Sequence, residues 1–128
     1  MIIADKAVLA GTARDASGPG WSSLRLLVKS DGMGFSMTET RVFPGAVLNL
    51  HYKNHVEACY CIGGRGTVVE LESGTSHDIT PGVLYAPNAH DRHEVHVAGP
   101  DPLHLICVFS PALQGDEVHG PDGSYASS

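Results

Sequence analysis

The chain has 128 residues, with 8 Lys and Arg against 14 Asp and Glu, for a formal net charge of −6. That length is one domain's worth of chain, able to bury about two-thirds of its unfolded surface. The acidic balance excludes the basic footprint of a nucleic-acid binder and attraction to anionic membranes. No apolar run approaches the roughly 18 residues of a membrane span.

The N-terminal stretch carries Asp5 where a secretion signal would carry positive charge, so it reads as mature, cytoplasmic protein. A short helical turn is expected within Lys6–Ala10. Beyond it, turn signals recur at Gly18-Pro19-Gly20, Asp31-Gly32, Pro44-Gly45, Gly63-Gly64, Ser73-Gly74, Pro81-Gly82 and Gly99-Pro100. Between them lie β-prone segments: Leu24–Lys29, Gly34–Phe43, Ala46–Tyr52, His55–Ile62, Gly66–Glu72, Val83–Ala86, His93–Val97 and Leu103–Phe109. Short strands at this spacing predict an all-β sandwich or barrel over residues 1–128.

Period-2 alternation is clearest in His55–Ile62. Val56, Ala58, Tyr60 and Ile62 share one face, and His55, Glu57, Cys59 and Cys61 share the other. Such a strand suits a barrel whose lumen holds a site. In Leu103–Phe109, Leu103, Leu105, Cys107 and Phe109 share a face, and parity alone does not choose which face points inward. Residues 110–128 have no apolar periodicity and read as a mobile tail. The three cysteines, Cys59, Cys61 and Cys107, are an odd count and read as reduced thiols.

Histidines number 8, as many as Lys and Arg together, which points to metal or proton chemistry. Gly45, His51, Lys53, Glu57 and Gly64 have the spacing of the first cupin motif, with Lys53 where that pattern has its second His. The second motif would fall on residues 81–93, where His90 and His93 are both candidate ligands and spacing does not choose between them. His51 is either a ligand or a structural or substrate-facing group. His77, His96 and His104 read as surface or structural histidines, and Cys59 as a small buried hydrophobe.

More specific are Trp21-Ser22-Ser23-Leu24-Arg25, the DGMGFS run from Asp31, the stretch His51–Gly63, Pro81–Ala86, His90–His93, Cys107–Pro111 and Glu117-Val118-His119. In this order they resemble the ectoine synthase family over nearly the whole chain. Lys53, Cys59, Gly64-Arg65 and the final residues depart from its pattern.

The resemblance implies a small cupin acting as a homodimer. It implies a divalent metal, Fe(II) with Zn or Mn as substitutes, held by residues matching Glu57, Tyr85 and His93. Phenolate, carboxylate and imidazole form a donor set with open positions, suited to such an ion. The implied reaction closes N-γ-acetyl-L-2,4-diaminobutyrate into a ring with loss of water. Tyr52, His55, Asp91, Glu117 and His119 are the implied proton-handling groups. Trp21, Arg25, Thr40, Cys107 and Phe109 would line the substrate pocket, with Arg25 clamping a carboxylate. The tail from 110 would act as a lid, so deletion beyond Pro111 is expected to lower turnover sharply. Two other readings compete: a cupin dioxygenase or isomerase with another substrate, and a metal-free ligand-binding cupin, which Lys53 favours over a generic enzyme.

Overall fold

In the computed structural model, which describes residues 1–125, ten strands form two antiparallel sheets. A four-residue helix, α1 (Lys6–Leu9), precedes them, with Asp5 capping its N-terminus by accepting from the Ala7 amide. The strands are β1 (Asp15–Gly18), β2 (Trp21–Leu27), β3 (Ser36–Val42), β4 (Val47–Leu50), β5 (Val56–Gly63), β6 (Gly66–Glu70), β7 (Ser76–Ile79), β8 (Leu84–Tyr85), β9 (His93–His96) and β10 (Leu103–Ser110). One sheet has the order β1-β2-β3-β10-β5-β8, the other β4-β9-β6-β7. The all-β expectation is met. The eight expected segments each overlap a strand, β2 starting three residues earlier than expected at Trp21, and β1 and β7 are additional. Those two read DASG and SHDI, too polar to show an apolar alternation.

Register explains how the site is assembled. Across the larger sheet, Tyr85 of β8 pairs with Cys59 of β5, Cys59 with Cys107 of β10, Cys107 with Thr38 of β3, and Thr38 with Arg25 of β2. Successive residues on a strand point to opposite faces, so this row and the Glu57–Phe109–Ser36 row beside it share the inner face. Leu103, Leu105, Cys107 and Phe109 are all buried, which settles the direction that parity left open. The apolar core, with Val42, Cys61, Leu103, Leu105, Val68, Ile79, Val95 and Val97, is continuous with the site residues Tyr52, Cys59, Cys107 and Phe109. On β5 the face carrying Glu57, Cys59 and Cys61 is the inner one, while Val56, Tyr60 and Ile62 are exposed outside.

Over its described part, residues 110–125, the tail lies against the barrel; residues 126–128 lie outside the described residues. Leu113 and Tyr125 are core residues despite their polar surroundings in sequence. The Lys29 amide donates to the Leu113 carbonyl and the His51 amide to the Gly123 carbonyl. Gly123 has a positive φ of 78° and lies so close to the Asn49 backbone that a Cβ would collide with it. The tail is therefore laid against the barrel by backbone contacts that its composition does not announce.

Candidate active site

A small cavity of about 30 Å³ sits inside the barrel beneath the tail. Trp21, Thr40, Tyr52, Glu57, Tyr85, Cys107, Phe109 and His119, all expected at the site, line it together. Tyr125 joins them without having been anticipated. A lone aromatic in a polar tail was the available signal.

Glu57 is a carboxylate brought inside by the period-2 geometry of β5. Burial pushes its pKa up to about 7, against the lowering effect of hydrogen bonds from the Cys59 and Cys107 thiols. Burial likewise raises the Tyr85 phenol, helped by neighbouring Cys59, Glu57 and Cys107. His93 is buried on β9, and its Nδ1 faces the Asp91 carbonyl at 2.9 Å. Its Nε2 has no hydrogen-bond partner among the described residues. A buried imidazole fixed through one nitrogen with the other unengaged is the arrangement a metal-ligating histidine needs. The ring centroids of Tyr85 and His93 lie 6.3 Å apart. A carboxylate, a phenol and an imidazole nitrogen are donor types that suit a divalent ion.

The tail supplies the other half. His119 contacts the Tyr52 hydroxyl at 2.6 Å, stacks on Tyr125 at 4.5 Å with rings 10° from parallel, and meets Trp21 edge-on. Burial lowers the His119 pKa to about 4, with Arg25 and His93 as further positive neighbours, so the ring is neutral near pH 7. The Tyr52 phenol is held above its usual value by burial and by Tyr125 and Glu57 nearby.

Arg25 departs from its expected role as a carboxylate clamp. It is fully buried, and its guanidinium donates to the Gly115 carbonyl at 3.1 Å, the Glu117 carbonyl at 2.8 Å and the Tyr125 hydroxyl at 3.3 Å. Its Nε donates to Ser23 at 3.1 Å. The fork geometry of arginine is used to fasten the tail.

Glu117 is also placed differently from a proton carrier. Its carboxylate accepts from the Gln114 amide at 2.6 Å and the Gly115 amide at 2.8 Å, capping a turn of its own segment. Asp91 does not line the inner cavity. It lines a separate cleft of about 560 Å³ at the β7–β8 side, whose wall includes Tyr85 and His93. His55 is buried edge-on to Phe109 and Tyr125, and neither ring nitrogen has a hydrogen-bond partner among the described residues. Burial lowers its pKa, so it too is neutral. Lys53 points outward and pairs with Asp122 of the tail at 2.8 Å. His90 turns its Nδ1 to the Tyr52 carbonyl at 2.7 Å. The surface histidines are paired as expected of bland positions: His77 with Glu70, His96 with Glu94 and His104 with Glu39.

The ectoine synthase family model matches residues 1–128. The chain belongs to the ectoine synthase family. An L-ectoine synthase from Hyphomonas neptunium is 46% identical over 125 residues, covering 98% of this chain and 93% of that protein. Another from Desulfosudis oleivorans is 49% identical over 125 residues, covering 98% and 96%. The crystal structure of ectoine synthase from P. lautus superposes with a TM-score of 0.84 at 39% identity, covering 90% of this chain and 81% of that one. A predicted oxalate decarboxylase from Thermotoga maritima shares the fold with a TM-score of 0.71 at 12% identity. Among ectoine synthases the chain is thus an enzyme of the hydro-lyase type on a cupin-like barrel.

Proposed function

We propose that the enzyme converts N-γ-acetyl-L-2,4-diaminobutyrate to ectoine by intramolecular cyclisation and loss of water, with a divalent metal, Fe(II) first, held by Glu57, Tyr85 and His93. The observation that carries this reading is one chamber lined by Glu57, Tyr85, the neutral His119 imidazole and the un-ionised Tyr52 phenol, with His93 buried on β9 beside Tyr85.

Three tasks define the chemistry. The amide carbonyl is a weak electrophile, and a divalent ion held by Glu57, Tyr85 and His93 would supply Lewis acidity toward it. The α-ammonium must lose a proton before its nitrogen attacks the acetyl carbon, and the departing oxygen, already carrying a proton passed from that nitrogen in the tetrahedral carbinolamine, must gain one more to leave as water. His119, neutral, is in the state to accept the first; Tyr52, protonated, is in the state to give the second. The hydrogen bond between them lets the proton return from imidazole to phenol, so the cycle closes. Folding the flexible substrate against Trp21 and Phe109 brings its two ends together, an effect able to contribute about 7–11 kcal/mol.

A chamber of about 30 Å³ has room for about one water molecule. An acetylated diamino acid enters only if the tail lifts, which supports the tail as a lid. The three cysteines are free thiols, in keeping with a cytoplasmic enzyme. A homodimer fits the exposed outer face of the larger sheet, where Val56, Tyr60, Ile62 and Leu84 present apolar side chains. Tyr60→Lys should then sediment as a monomer where the parent sediments as a dimer.

The decisive test is to incubate the iron-loaded protein with N-γ-acetyl-L-2,4-diaminobutyrate and follow ectoine by NMR. Appearance of ectoine with loss of substrate is expected. No product from protein carrying one equivalent of iron would reject the reading.

A further inference from the structure

Glu57 shares its surroundings with two thiols that the reaction above leaves unused. One Glu57 oxygen and the sulfurs of Cys59 and Cys107 all lie within 4.8 Å of one another, and all three residues are buried. The register makes this geometry unavoidable. Glu57 and Cys59 are two apart on β5 and share a face, and Cys107 is the direct cross-strand partner of Cys59. A Zn–S bond is about 2.3 Å and a Zn–O bond about 2.0–2.2 Å, so donors of one tetrahedral ion sit roughly 3.5–4 Å apart. The three donor atoms therefore need only rotamer adjustments to meet one ion. Both cysteines are free thiols. The third cysteine behaves differently: the Cys61 thiol donates to the Gly63 carbonyl at 3.3 Å. A second observation points to the same place. Tyr85, the cross-strand partner of Cys59, packs near His93, whose buried Nε2 is unengaged among the described residues.

We propose that Cys59 and Cys107 ligate metal together with Glu57, so that this site binds a thiophilic divalent ion such as Zn(II) or Co(II) through sulfur. The inference rests on the proposed metal site and adds sulfur to its oxygen and nitrogen donors. On binding, each thiol gives its proton to solvent and its sulfur lone pair to the ion, with no change of oxidation state. Soft thiolate donors shift preference toward zinc and cobalt, whereas the carboxylate, phenolate and imidazole set alone suits harder ions.

The test uses the full chain stripped of metal and titrated anaerobically with Co(II) alone. Saturation at one equivalent with an intense near-ultraviolet sulfur-to-cobalt charge-transfer band is expected. Cys59→Ser and Cys107→Ser should each weaken the band and the double variant should lose it, while Cys61→Ser leaves it unchanged. Cobalt bound at one equivalent with only weak visible bands would overturn the sulfur ligation while leaving the Glu57, Tyr85 and His93 site standing. Failure of the unmodified protein to bind cobalt at all would overturn both. The unmodified spectrum decides the point even if a variant fails to fold.

Discussion

The two halves of the active site are built by different means. Glu57, Tyr85 and His93 stand on strands whose register fixes where each side chain points. His119 and Tyr125 stand on a segment without regular structure, and Arg25 fastens that segment from inside the barrel. The first half is set when the sheets pair. The second exists only while a few hydrogen bonds and Leu113 hold the tail down. On the proposed reading the contrast separates capacities: metal binding would belong to the barrel wall, and proton acceptance by His119 to the tail.

The variants that divide these halves fall in order of expected effect. Glu57→Ala removes the carboxylate proposed as a metal donor. Metal content should fall to background, and turnover should drop by at least about 10²-fold, as for loss of a group that stabilises developing charge. His119→Ala should lower turnover about 10²–10⁴-fold, the usual contribution of general acid–base catalysis, while metal content stays at that of the parent. Equal loss of metal in both variants would erase the distinction.

A smaller effect is expected from Arg25→Gln. The Gly115 and Glu117 carbonyls lose their partner, at a cost of about 1–3 kcal/mol for each buried group left unsatisfied. Hydrogen exchange should accelerate in residues 112–125 while the amides of β10 stay protected.

The smallest is a pH effect on tail docking. The folded His119 pKa of about 4 lies below its usual 6.5. Below pH 6.5 the released tail takes up a proton that the docked one refuses, so docking weakens as pH falls from 6.5 toward 4 and changes no further below that. The positive neighbours opposing protonation are Arg25 and, when charged, His93; Tyr52, Tyr125 and Trp21 supply the ring contacts. Proteolysis of the tail should quicken across that window, and His119→Gln should flatten the response.

The same contrast governs what the sequence made legible. Strands announce themselves by alternation, so β5 and its inner Glu57 and Cys59 were readable, as was the segment holding β10. Choosing His93 over His90 needed the family resemblance. In the structure His93 starts β9 with a buried ring, while His90 lies in a turn with a positive φ of 54°. The docked tail was not readable, because its anchors are contacts distant in sequence. Arg25 reaches residues 90 to 100 positions away, and nothing local distinguishes that use from a substrate clamp. Glu117 looked like a base for the same reason: a carboxylate capping two nearby amides is a matter of backbone path, which residue type does not disclose.

The most direct test compares metal content and turnover in one preparation of the chain ended after Gly115, which keeps the buried Leu113 and removes His119 and Tyr125. The prediction is one equivalent of iron per chain, as in the full-length enzyme, with ectoine formation lost. Turnover within about tenfold of the full chain, well short of the loss expected when a proton carrier is removed, would contradict the division of labour. So would loss of the iron together with the tail.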